Sequence, residues 1–89
     1  MAAYIVTFEL KDPASRPALR EALRSFPGFC PLTATSWVIK SDKNAREVRD
    51  QLTASLGPGD RLFVIRSGSA GAWRNAYGEK HSEWLKKNL

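Results

Sequence analysis

The sequence predicts an α+β domain, an antiparallel four-strand sheet with two helices on one face and a helical tail beyond it. Three observations carry this expectation. Four short segments rich in β-branched and aromatic residues (AYIVTFEL, FCPLT, SWVIKS and DRLFVIRS) have the composition and length of strands. Two intervening segments repeat apolar residues with helical spacing. Pro27-Gly28 and Gly57-Pro58-Gly59 then stop each helix before a strand begins.

The first strand, residues 3–10, sets Tyr4, Val6, Phe8 and Leu10 on one face and Ala3, Ile5, Thr7 and Glu9 on the other. Asp12-Pro13 and Ser15-Arg16-Pro17 both suit a helix start, an N-cap followed by proline in the first turn. The helix that follows is expected to run to about Phe26 and to bury Leu19, Ala22, Leu23 and Phe26. The next stretch reads as a hairpin, FCPLT and SWVIKS joined through Ala34-Thr35, with Pro31 tolerable on an edge strand. Asn44 and Glu47 form a capping-box pair before a second helix, whose inner stripe is Ala45, Val48, Leu52 and Leu56. DRLFVIRS reads as a buried fourth strand with basic ends.

Strand, helix, strand, strand, helix, strand is the split βαβ order, so the expected architecture is ferredoxin-like βαββαβ with both helices on one sheet face. One domain is expected over residues 1–89, with a core over 1–67 and a tail over 68–89. In the tail, Trp73 and Tyr77 are four apart, as are His81 and Leu85, and Lys86 and Lys87 suit the last turn of a helix. Trp73, Tyr77 and Trp84 need a surface and are expected to cover the open sheet face, in their own subunit or in a second copy. SGSAGAW lacks both the Walker and the GxGxxG spacing and reads as a hinge rather than a phosphate cradle.

A chain of 89 residues has a folding free energy on the order of 4–13 kcal/mol, which makes homodimerisation a useful supplement. A single cysteine, Cys30, excludes an internal disulfide framework, and with only His81 beside it a zinc site is excluded as well. No apolar run approaches the roughly 18 residues that span a bilayer, so no membrane role and a cytoplasmic location are expected. Fourteen Lys and Arg against nine Asp and Glu give a net charge of +5, which favours DNA or RNA as a partner if the cations cluster.

The residues VTFEL in the first strand, the basic first helix, SWVIK and GDRLFVIRSG resemble the CRISPR-associated Cas-two family and its relatives, the VapD toxins and the SinR-like proteins. The ending AW…EWLKKNL looks most like the SinR-like relatives. The resemblance implies a ferredoxin-like homodimer that handles nucleic acid. In that family an aspartate near the end of strand one is implicated in metal-dependent nuclease activity. Aligned on VTFE, the matching position here is Glu9, the candidate catalytic and metal-binding residue.

Glutamate takes Mg²⁺ or Mn²⁺ through hard oxygen ligands, but its extra methylene displaces the carboxylate from the aspartate position. The competing reading pairs Glu9 with Arg61 or Arg66 at the sheet end. Arg16, Arg20 and Arg24 recur every four residues and form one stripe on the first helix; Arg46 and Arg49 lie on the second. Such stripes suit backbone phosphates, while the alternative is a solvated face balanced by Glu21, Glu47 and Asp50. Trp37 alternates with Thr35 and Ile39 and reads as a core or interface residue; Asp60 reads as a turn residue. The expected function is a nucleic-acid-binding protein with weak or no nuclease activity. The alternatives are a metal-dependent endonuclease using Glu9 across a dimer, and an interaction module working through Trp73, Tyr77 and Trp84.

Overall fold

The computed structural model describes residues 1–68 and 70–89; Ser69, within the SGSAGAW stretch read as a hinge, lies outside the described residues. The elements run β1 (Ala2–Glu9), α1 (Ser15–Arg24), β2 (Gly28–Thr33), β3 (Ser36–Ser41), α2 (Ala45–Thr53), β4 (Arg61–Arg66) and α3 (Glu79–Asn88). The four strands form one sheet in the order β2-β3-β1-β4, antiparallel at every pairing. The result is a small α+β fold, a four-strand antiparallel sheet with three helices among the described residues.

Alternation along the strands sorts the core into two layers. Tyr4, Val6 and Phe8 of β1 and Trp37 and Ile39 of β3 meet Leu19, Leu23 and Phe26 from the α1 side and Val48 and Leu52 of α2. On the opposite face, Cys30 and Val38 pack with Leu85 of α3, and Ala3, Ile5 and Trp84 lie against them. The first two helices thus share one face, and the tail folds back over the other face of its own chain. Gly28 permits this close docking: a Cβ there would stand 3.0 Å from Lys40 Cγ and 3.2 Å from Trp84 Cζ2. Burial raises the Cys30 thiol above its ordinary range, which makes it an inert core group.

The second helix begins as its sequence implies. The Asn44 side chain accepts from Glu47 N at 2.9 Å, and Asn44 N donates to Glu47 Oε1 at 3.0 Å. Its last regular residue is Thr53, because Ser55 N bonds Leu52 O and Leu56 N bonds Thr53 O in tighter three-residue turns. The α1 start differs from expectation. Its N-cap is Ala14, with no side-chain cap, and Asp12 Oδ1 instead accepts from Ala14 N at 2.9 Å just outside the helix. The helix ends at Arg24, since Pro27 disfavours helical backbone at Phe26, yet Phe26 is still buried. The hairpin arms match the reading, and Pro31 sits on the edge strand β2 beside a register irregularity.

The fourth strand is not the buried strand its composition implied. It occupies the other sheet edge, and Phe63 and Ile65 remain 60% and 56% exposed on the α3 side. Their register partners are Thr7 and Ile5, while α3 covers the β2-β3 half of the face. An apolar run cannot by itself reveal whether both of its faces are covered. Among the described residues, no helix is long and apolar enough to cross a membrane.

Asp60 is more than a turn residue. Its Oδ1 accepts from Lys11 N at 2.7 Å and Asp12 N at 3.2 Å, and its Oδ2 accepts from Gly57 N at 2.8 Å. The carboxylate therefore ties the β1-α1 loop to the α2-β4 loop. The Gly57 N–H, followed by the Ser15 hydroxyl and the other two amides, holds the carboxyl down to about 2 from 3.8. A depressed carboxylate pKa adds stability that is fully present above about pH 4 and is lost as pH falls through 2. Denaturant midpoints measured across this window are expected to fall for the native chain. In Asp60→Asn they are expected to be lower at neutral pH and flatter below pH 4.

Candidate nucleic-acid interface

The arginine stripe of α1 faces the β2 edge of the sheet. The buried positions Leu19 and Leu23 lie three residues from Arg16 and Arg20, so the arginine stripe runs along the margin of the buried face and borders the β2-β3 hairpin. Arg16 Nη1 donates to Ala34 O in the hairpin turn at 2.8 Å. The Arg24 guanidinium lies 5.7 Å from the Phe29 ring centroid, a cation–π contact, and Phe29 in turn meets Trp37 at 6.0 Å. Between these two contacts, Arg20 borders a cleft of about 230 Å³ that Arg16, Pro31, Trp37 and Tyr77 also line.

These three arginines are not neutralised locally. Among the described residues, none has a carboxylate within 4.0 Å. Of the three acids that could balance a solvated face, Glu47 is engaged in the capping box and Asp50 by Arg49 Nη2 at 2.8 Å, while Glu21 stays exposed on α1 beside Arg20. The stripe thus presents three planar donor forks to solvent along one helix flank.

Arg49 of α2 belongs to a different part of the surface. Arg49 lines a groove with Leu56, Pro58 and Leu62 toward the β4 edge, and its charge is paired with Asp50. Arg46 is exposed on the same helix. The structure therefore groups Arg16, Arg20 and Arg24 and leaves Arg49 outside that group.

Glu9 ends β1 directly opposite Arg61 in the register, and Arg61 Nη1 lies 3.7 Å from its Oε1. Both side chains are largely exposed, so the pair adds little to stability. Among the described residues, no group of three or more His, Cys, Asp or Glu side chains could hold a metal ion. Glu9 presents one carboxylate, already partnered by a cation.

The three tail aromatics separate as well. Trp84 packs on the Cys30-Val38-Leu85 cluster, and Trp73 Nε1 donates to Ser82 Oγ at 3.0 Å. Tyr77 is 60% exposed, meets His81 edge-on at 6.0 Å, and reaches the α1 cleft. Sequence reasoning placed Tyr77 with the interface aromatics and Trp37 in the core or an interface, and missed that both line one cleft with Arg16 and Arg20. Forty residues separate the two aromatics, so no local spacing could have shown it.

No family model matches the chain, and no curated protein is similar to it. A crystal structure of a hypothetical protein from Thermus thermophilus is similar in fold, with a TM-score of 0.67 at 16% identity. The likeness covers 82% of this chain and 89% of that one. At that identity it speaks for the fold alone.

Proposed function

We propose that this chain is a ferredoxin-like, nucleic-acid-binding protein akin to the Cas-two and SinR-like group, with weak or no nuclease activity. The observation that carries this reading is the row Arg16, Arg20 and Arg24, free of carboxylate partners and flanked by Phe29, Trp37 and Tyr77. Cations that ride one helix flank at four-residue spacing neutralise successive phosphates and release counterions. Among these rings Tyr77 is 60% exposed and suits an unpaired base. Fluorescence anisotropy with labelled RNA and DNA across a salt series tests it. Binding is expected at low salt with a log–log slope of about −2 to −3, from three phosphate contacts. Absent binding at low salt, or binding indifferent to salt, contradicts the proposal.

A homodimer completes this reading. Phe63 and Ile65 form an exposed apolar strip on an edge strand, where unpaired backbone groups invite a second strand. A two-fold pairing would set the strip of one copy beside that of the other. Light scattering is expected to give twice the chain mass, and the Phe63→Glu, Ile65→Glu double variant is expected to give one chain mass. A wild-type monomer at high concentration contradicts the pairing.

A nuclease role for Glu9 with Mg²⁺ or Mn²⁺ would require a second carboxylate from another copy and release of Arg61. The cytoplasmic location belongs with the nucleic-acid reading.

A further inference from the structure

We infer that the cleft between α1 and the β2-β3 hairpin takes one nucleotide unit, its base on Tyr77 and its phosphate on Arg16 and Arg20. This rests on the nucleic-acid reading above and names the subsite within it. At about 230 Å³ the cleft lies below the roughly 300–1,000 Å³ of sites that enclose a drug-sized ligand, so it suits one unit rather than an extended molecule. Its floor is apolar, built from Pro31 and the nearly buried Trp37, while Tyr77 stands 60% exposed at the same opening. An exposed phenol ring offers a flat stacking surface at small entropic cost.

The polar side of the cleft matches a phosphate. Arg16 spends one donor on Ala34 O, which anchors the guanidinium and leaves four of its five N–H groups for a ligand. Arg20 follows one helical turn later and has no carboxylate partner among the described residues. A base stacked within a duplex cannot enter a recess of this size, so the ligand is an unpaired nucleotide, carried by a single strand or free.

The test uses the full chain with three probes: an unpaired hexaribonucleotide, its duplex, and 5′-AMP. Tyr77→Ala is expected to weaken hexamer binding by about 5- to 150-fold, the range of one lost base–aromatic stack. Duplex affinity and the salt slope are expected to stay unchanged, and Tyr77→Phe is expected to retain hexamer binding. Competition by millimolar AMP, lost in Tyr77→Ala, assigns the cleft to a free nucleotide. No AMP binding, with the hexamer still sensitive to Tyr77, assigns it to a strand. Duplex binding intact while Tyr77→Ala leaves the hexamer unaffected overturns the cleft and spares the arginine stripe. An equal loss of hexamer and duplex in Tyr77→Ala also overturns it. A wild type that binds none of the probes overturns the nucleic-acid reading and the cleft together.

Discussion

Replacing Arg16, Arg20 and Arg24 together with alanine is expected to reduce nucleic-acid affinity about 100- to 1,000-fold at low salt. Three charge-assisted contacts, each giving about 1 kcal/mol or somewhat more, set that scale. The salt slope is expected to fall by about 2 to 3, because each lost phosphate contact removes about 0.7–0.9 from it. The fold is expected to survive, since all three side chains are exposed and, among the described residues, only Arg16 makes a side-chain hydrogen bond, to Ala34 O. The matching pair Arg46→Ala, Arg49→Ala is expected to change affinity much less, because Arg49 is already neutralised by Asp50. Equal losses in the two variants would show that the whole helical layer acts as a diffuse cation.

The other large effect concerns the platform beneath that stripe. Leu23 is fully buried between α1 and the sheet, and it holds the helix whose outer flank carries the arginines. Leu23→Ala is expected to cost about 2–5 kcal/mol from lost burial and the residual cavity. That is a large share of the roughly 4–13 kcal/mol expected for 89 residues. Urea titration reads it as a lower midpoint at unchanged m. A loss below about 1 kcal/mol would mean that α1 repacks, and the stripe would then lack a fixed mount.

Local signals in the chain foretold most of the elements. The capping box at Asn44 and Glu47, the alternation in β1 and the hairpin around Ala34-Thr35 each depend on neighbours within a few residues, and each is present in the fold. What was not legible depends on distance along the chain. Asp60 binds amides 48 and 49 residues away, which no turn propensity encodes. The exposure of Phe63 and Ile65 depends on how much of the sheet α3 covers. Gly28 reads as a helix stop, yet it also admits Trp84 against β2.

The candidate site divides along the same line. The four-residue spacing of Arg16, Arg20 and Arg24 was visible, and so was the pairing of Glu9 with a strand-four arginine as one of two readings. Whether Glu47 and Asp50 would balance the stripe was not visible, because their commitments to Asn44 and Arg49 are made in the folded helix. The cleft is a long-range product, since a sheet, a hairpin turn and the tail must meet before Trp37 and Tyr77 share it.

Backbone amide chemical-shift mapping with an unpaired RNA oligonucleotide at low salt decides whether the α1 flank and its cleft bind nucleic acid. Perturbations are expected along the exposed flank of α1 from Arg16 to Arg24, through the β2-β3 turn, and at Tyr77. Shifts confined to the Arg49 groove or to Phe63 and Ile65, or no shifts at all, would contradict that binding.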